Sequence, residues 1–352
     1  MGNHFIGVGK YIPTETISNL HFKDHQFLDE EGVNLTSDNA TIASKLKQIT
    51  GIEERRYARP DQVTSDLGYM AAAAAISDAG VDAESLDYII FAHNFGDVKS
   101  GTIQSDTVPS LASRVKHLLG IKNPYCVAFD LLFGCPGWIE AVIQANTLIN
   151  GGVAKRCLVV GAETLSRVVD PHDRDSMIYA DGAGAVVLES SGDNRGLISH
   201  LSASFANEEK DYLFFGKSYN TNSCPDTKYI KMFGRKIYEF ALSNVPQAMK
   251  KCLDQSPFEI TDLKKIIIHQ ANEKMDEAIV QRFYRQYKMP VPDGIMPMVI
   301  QKLGNSSVAT VPILLEMILK GELENHNIFP GDVVMFASVG AGMNVNAFVY
   351  QF

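Results

Sequence analysis

Tyr125-Cys-Val-Ala-Phe-Asp-Leu-Leu-Phe-Gly-Cys-Pro-Gly-Trp-Ile-Glu-Ala-Val-Ile-Gln-Ala-Asn-Thr-Leu-Ile-Asn150 changes its hydrophobic period once. Its first part predicts a strand over Tyr125–Asp130. Its last part predicts a helix over Gly137–Asn150, with Ile139, Val142, Ile143 and Ile149 on one side and Gly151-Gly152 as the stop. Outward from this unit, short apolar runs recur at Tyr88–Ala92, Cys157–Val160, Ala185–Leu188, Ile266–Ile268 and Val333–Ala337. Runs this short and this apolar belong to sheets buried on both faces. Helical periods separate them at Leu67–Gly80, Arg235–Leu253 and Val308–Lys320. The class is α/β.

The chain echoes itself. Leu86–His93 and Leu263–His269 share a polar start, an apolar strand and a polar end, and Lys155–Gly161 parallels Gly331–Ala337 as a strand entering a small-residue turn. Two similar halves follow as the expectation, residues 1–190 and 191–352. The join falls at the polar stretch Ser190-Ser-Gly-Asp-Asn-Arg-Gly196.

At 352 residues, 45% hydrophobic and 21% charged, the chain can bury a large core. No apolar run approaches the roughly 18 residues a membrane helix needs, and Met1–Leu20 has no signal-like apolar core, so a cytoplasmic protein without a membrane span is expected. With 41 acidic against 32 basic residues the net charge is −9, which disfavours nucleic acid. Five scattered cysteines, 126, 135, 157, 224 and 252, form no Cys-x-x-Cys pair, so neither a disulfide framework nor a zinc knuckle fits.

Four places carry possible chemistry. In Phe133-Gly-Cys-Pro-Gly-Trp138, Pro136 suits a first helical turn and puts Cys135 at a helix N-terminus, where the dipole favours thiolate. Cys135 is either a nucleophile or a buried structural thiol. His269-Gln-Ala-Asn272 follows a strand of isoleucines, at the carboxyl end where open α/β sheets place ligands; alternatively the histidine is a structural hydrogen-bonding residue. Leu303-Gly-Asn-Ser-Ser307 is a polar turn or a helix cap, and Gly340-Ala-Gly342 is an anion-facing turn or merely a tight one. A thiol, an imidazole, a carboxamide and fixed N–H donors together suit acyl transfer from a thioester.

These residues resemble the type III β-ketoacyl-acyl-carrier-protein synthases of the thiolase superfamily. The likeness runs the whole length, through Gly7–Pro13, Ile49–Arg56, the Cys135 turn, Asp170–Arg174, Asp181–Leu188, Gly234–Ala241, His269–Asn272, Gly304–Ser307 and Gly340–Gly342. It implies a five-layered α-β-α-β-α fold and a homodimer. It also implies decarboxylative Claisen condensation of an acyl group on Cys135 with a malonyl- or β-ketoacyl-type thioester on acyl carrier protein, in fatty-acid initiation or specialised lipid or polyketide synthesis. His269 and Asn305 would assist decarboxylation as neutral donors, and backbone N–H groups of Cys135, Ala341 and Gly342 would hold the oxyanion. Acyl-coenzyme A or acyl-carrier-protein and malonyl-carrier-protein thioesters are the implied substrates, with no permanent cofactor and no metal.

Departures refine the expectation. The family's Ala-Cys-Ser/Ala-Gly context is here Gly-Cys-Pro-Gly-Trp, and Trp138 either shapes the pocket or packs the core. Lys45 and Ile49 stand where relatives that accept coenzyme A carry an adenine-gripping Trp and Arg, which favours a carrier-protein partner. Val108, smaller than the aromatic of the loop that closes a partner's acyl tunnel, points to a longer or bulkier acyl chain. Arg174, Arg235 and Lys274, with Lys231 and Lys236, are either a basic docking patch for an acidic carrier protein or ordinary solvated surface charge. A biosynthetic thiolase is disfavoured because Val339–Met343 lacks a second cysteine, and a hydroxymethylglutaryl-coenzyme A synthase would want a glutamate base, for which Glu163 is the nearest candidate by family position, the alternative being a structural residue at a strand end. The alternatives are a non-decarboxylating acyltransferase and a non-catalytic partner subunit.

Overall fold

A computed structural model describes residues 2–222 and 226–352, so Cys224 lies outside the described residues. Two sheets organise the chain. The first takes β1 (Asn3–Tyr11), β4 (Tyr88–His93), β7 (Val127–Leu132), β8 (Arg156–Thr164) and β9 (Asp181–Ser190), in the order β1-β9-β8-β4-β7. Strands β8, β4 and β7 run parallel, while β1 and β9 are antiparallel additions. The second takes β10 (Gly196–Ser204), β13 (Leu263–Ile268), β14 (Val333–Gly340) and β15 (Asn344–Gln351), in the order β10-β15-β14-β13. Three two-stranded sheets lie outside them: β2 (Glu15–Ser18) with β3 (Glu54–Tyr57), β5 (Asp97–Val98) with β6 (Ser105–Asp106), and β11 (Leu213–Lys217) with β12 (Lys228–Met232).

The period-2 alternation of each apolar strand decides the layering. Ile90, Ala92, Cys157 and Val159 point one way and meet α4 (Gly137–Asn150) and α8 (Thr310–Leu319). Against the other side of those helices pack Ile267, Val334, Phe336 and Phe348 of the second sheet. Ile89, Phe91, Leu158 and Val160 point the other way, onto α2 (Thr64–Ala79) and α3 (Leu111–Leu118). In the second sheet Ile266, Ile268, Met335 and Ala337 face α5 (Gly234–Asp254) and α6 (Glu273–Gln286). The result is the expected five-layered α-β-α-β-α sandwich, with α4 and α8 as its middle layer. Helices α1 (Asn39–Thr50) and α7 (Ile300–Leu303) lie on a satellite cluster beside it.

The alanine run of α2 has a steric cause. A Cβ at Gly7 or Gly9 of β1 would stand 2.3 Å from the carbonyl oxygens of Ala75 and Ala71, so helix and strand approach only because both surfaces are bare.

Several boundaries differ from the sequence reading: the strand expected over Tyr125–Asp130 runs over Val127–Leu132, and the helix expected over Leu67–Gly80 starts at Thr64. β8 continues to Thr164, carrying the polar Glu163 inward, because Glu163 and Thr164 pair in register with Gly182 and Asp181. The helix expected over Val308–Lys320 is a 3-10 turn at Ser307–Ala309 followed by α8, since Ser307 has φ +52 and Thr310 Oγ1 donates to the Ser307 carbonyl at 3.0 Å.

Candidate active site

Cys135 leaves β7 through a tight turn. Gly137 N–H donates to the Gly134 carbonyl at 2.7 Å, Glu140 N–H donates to the Pro136 carbonyl at 3.0 Å, and Pro136 caps α4. The glycine turn after β14 presses directly on this segment. A Cβ at Gly340 would stand 2.5 Å from the Cys135 nitrogen, and one at Gly134 would stand 2.5 Å from the Ala341 nitrogen. Both positions need glycine because the opposing atoms are backbone and cannot swing aside.

The Ser307 hydroxyl donates to Cys135 Sγ at 3.3 Å. The dipole-favoured thiolate expected from the sequence is not the resting form: burial pushes the Cys135 thiol up to about 11, the Ser307 hydrogen bond opposes this, and the nearby Glu163 carboxylate adds to it. Desolvation outweighs one helix end.

His269 continues β13, its N–H donating to the Ala337 carbonyl at 2.9 Å, and is 3% exposed. Burial pushes its imidazole down to about 4, so the ring is neutral. Its Nδ1 is 2.7 Å from Thr310 Oγ1. Within the same motif, Gln270 braces the chain to Pro297 and Val299, and Asn272 caps α6 through Met275 N–H, so those two carboxamides are structural.

Asn305 is pinned by backbone bonds to Ile178 and Ala180. Its Oδ1 accepts from Ser307 N–H at 2.8 Å, which leaves Nδ2 for the cleft that Asn305 lines. That cleft, about 970 Å³, is also walled by Lys45, Ile49, Arg174, Gly234, Arg235 and Lys236.

Ser307 therefore ties Cys135, Asn305 and, through Thr310, His269 into one constellation. Sequence reasoning missed three members: Ser307 itself, Thr310, and Asn94, whose Nδ2 donates to Ser307 Oγ at 3.0 Å. The signals were present, since Ser307 lies in the singled-out polar turn and Asn94 follows a strand end. Glu163, weighed as a base, is buried and bonded to Asn94, and none of its hydrogen bonds goes to Cys135.

Several expected contacts are corrected. Trp138 is wholly buried among Phe5, Phe336 and Phe348, a core residue of the middle layer and not a substrate contact. Lys231 is no docking residue: it is buried, with Nζ 2.7 Å from Asp170 and 2.9 Å from Asp173. Lys274 is exposed but does not line the cleft, because it sits on the outer side of the first turn of α6. Arg174 and Arg235 do line it, Arg235 held by Glu239 at 2.8 Å. Val108 is 84% exposed on the loop before α3, outside the cleft of its own chain.

The family described as 3-Oxoacyl-[acyl-carrier-protein (ACP)] synthase III matches residues 129–204, and its C-terminal counterpart matches 253–352. A protein named Beta-ketoacyl-[acyl-carrier-protein] synthase III from Ruegeria pomeroyi is 32% identical over 352 residues, 98% of this chain and 97% of its own. A protein of the same name from Staphylococcus aureus strain Newman is 32% identical over 342 residues, 97% of this chain and 96% of its own. Among solved structures, 3-oxoacyl-[acyl-carrier-protein] synthase III from Aquifex aeolicus superposes with a TM-score of 0.79 at 28% identity, over 100% of both chains.

Proposed function

The chain belongs to the 3-oxoacyl-[acyl-carrier-protein] synthase III family, and from that membership and the Cys135–Ser307–Asn305 constellation we propose a residue-level course for its condensation. It is a condensing acyltransferase that works on acyl and malonyl-type thioesters without a permanent cofactor. Cys135 takes the acyl group: its sulfur attacks the thioester carbonyl, the donor leaves as a free thiol, and the Cys135 proton goes to that leaving sulfur. Backbone N–H groups of Cys135, Ala341 and Gly342 meet the oxyanion.

A malonyl-type thioester then enters along the Asn305 wall. Carbon dioxide leaves, and the electron pair passes onto the thioester oxygen as an enolate, held by Asn305 Nδ2 and by His269. The enolate carbon attacks the acyl carbon, the bond to Cys135 sulfur breaks with the electron pair going to the sulfur, a 3-oxoacyl thioester departs, and the Cys135 thiolate takes a proton from water to return to the resting thiol. Neutral donors suit this step, and an imidazole that burial holds near 4 is uncharged around neutral pH.

The single observation that carries this reading is that one residue, Ser307, bonds both Cys135 and Asn305. Incubation with an acyl thioester and malonyl-carrier protein tests it, with carbon dioxide and 3-oxoacyl product expected in equal amounts. Acyl transfer without carbon dioxide would favour a plain acyltransferase, and inertness would favour a non-catalytic partner subunit.

We also read residues 1–190 and 191–352 as the two similar halves, and the protein as a cytoplasmic homodimer whose acidic carrier protein docks by Arg174 and Arg235. Among the described residues no helix is long and apolar enough to cross a membrane. β7 is an outer strand of its sheet with Val127 45% and Leu132 69% exposed, a surface that a second copy would cover. Light scattering at monomer mass would refute the dimer. Arg174→Glu with an unchanged Michaelis constant for carrier-borne substrate would refute docking there.

A further inference from the structure

Glu163 is 1% exposed at the inner end of β8, and its Oε1 accepts from the backbone N–H of Asn94 at 2.6 Å and also from Asn94 Nδ2. With one amide hydrogen on Glu163, Asn94 Nδ2 sends the other to Ser307 Oγ. That hydroxyl, having accepted one hydrogen, points its own at Cys135 Sγ.

Every polar group of Ser307 is committed in this way. Its N–H goes to Asn305 Oδ1, its carbonyl receives the Thr310 hydroxyl, and its Oγ stands between Asn94 and Cys135. It is also a non-glycine residue at φ +52, a conformation that persists where the surroundings over-determine it.

We propose that Glu163 and Asn94 are positioning residues for the nucleophile, acting through the Ser307 hydroxyl, which is the group that touches the sulfur. This rests on the reading of Cys135 as the acylated residue. Glu163 is not a base here: its hydrogen bonds go to Asn94, and its charge works against a thiolate. Its use is to hold the Asn94 amide in the one orientation that leaves Ser307 no acceptor for its hydrogen except the sulfur. A donor to a charged sulfur favours thiolate and fixes the direction from which it attacks. The carboxylate comes from β8, the amide from the residue that follows β4, and the serine from the 3-10 turn before α8.

The test is the pH profile of Cys135 alkylation by iodoacetamide, followed by peptide mass, on the full-length protein without substrate. Ser307→Gly removes the hydroxyl while suiting the positive φ, and it should move the profile up by about one pH unit, as loss of one hydrogen bond to a charged group requires. Asn94→Leu should do the same, and the double variant should shift no further than either alone, since both break one chain. Glu163→Gln and Glu163→Leu lose the same charge but differ in the acceptor, so the leucine profile should lie above the glutamine profile. Thermal unfolding of each variant identifies any that fail to fold, and the Gln and Gly variants keep the test open if Leu does not fold. An unmoved Ser307→Gly profile, additive shifts in the double variant, or identical Gln and Leu profiles would each overturn the proposal. Alkylation needs no acyl donor, so a protein that shows these shifts yet takes no acyl group would refute the nucleophile reading and leave the positioning chain standing.

Discussion

His269 Nδ1 lies 2.7 Å from Thr310 Oγ1, and the same hydroxyl donates to the Ser307 carbonyl at 3.0 Å. Thr310 has one hydrogen to give. While it rests on the carbonyl, Nδ1 must be the protonated nitrogen, and Nε2 carries the lone pair. For His269 to donate to an enolate from Nε2, the Thr310 hydrogen must turn to Nδ1. In the proposed course, the threonine hydroxyl would then select which of the two states the ring presents, an acceptor at rest and a donor at decarboxylation.

Thr310→Val keeps the shape and removes this choice. Condensation should fall about tenfold, the worth of roughly one such hydrogen bond, and Thr310→Ser should restore most of it. Steady-state rates with malonyl-carrier protein measure this; a valine variant at wild-type rate would contradict it.

Asn305→Ala removes the Nδ2 donor and the acceptor for Ser307 N–H. Product formation should drop by about a hundred- to a thousandfold, the usual cost of one oxyanion donor, while acyl loading of Cys135 changes only a few-fold. Parallel loss of loading and condensation would place Asn305 with the nucleophile and remove it from the decarboxylation step.

Burial raises the Glu163 carboxyl to about 7 from its ordinary 4.5, with the His93 charge and the Asn94 bonds pulling the other way. The folded protein thus holds a proton that the unfolded chain gives up. The associated stability is fully present below pH 4.5 and is lost as the pH rises through 7. Glu163→Gln has no such loss, so it should gain on the wild type by up to about 3 kcal/mol between pH 4.5 and pH 8 in urea unfolding. Asp175 and Asp276, which burial also raises, titrate in both proteins and cancel, whereas the Asp181 charge adds to the Glu163 shift and its coupling is removed together with the Glu163 carboxyl. A difference independent of pH would contradict the buried-acid assignment.

Gly340→Ala would force a Cβ to 2.5 Å from the Cys135 nitrogen and 2.7 Å from Pro136 Cδ. Acyl loading should fall at least tenfold from the displaced turn. Gly192→Ala, where a Cβ meets open space, serves as control and should load normally. Equal loading in both variants would show that the two turns are not in the tight register described.

The fold was legible because its strands are short, apolar and bounded by glycine or polar clusters. Residues 88–92, 157–160, 185–188, 266–268 and 333–337 all fall inside observed strands, and Gly137–Asn150 is α4 at both ends. What composition hides is depth. Trp138 reads equally as pocket or core until the second sheet closes over it, and Lys231 reads as surface charge until Asp170 and Asp173 are folded around it. At the candidate site, Cys135, His269 and Asn305 were singled out by strand ends, helix starts and family likeness. Ser307 was not, since a serine after Asn-Ser looks like a cap and neither its φ of +52 nor its contact with the distant Cys135 sulfur is written in the local sequence. The thiol was misjudged for the same reason: dipole position is local in sequence, whereas burial is not.

The most direct measurement is the intact mass of the wild type and of Cys135→Ala after incubation with acyl-coenzyme A and acyl-carrier-protein thioesters of graded chain length. The account predicts a mass gain of one acyl group in the wild type, strongest with long or bulky carrier-borne donors, and none in Cys135→Ala. A gain that survives in Cys135→Ala, or a folded wild type that takes no acyl group from any donor, would contradict it.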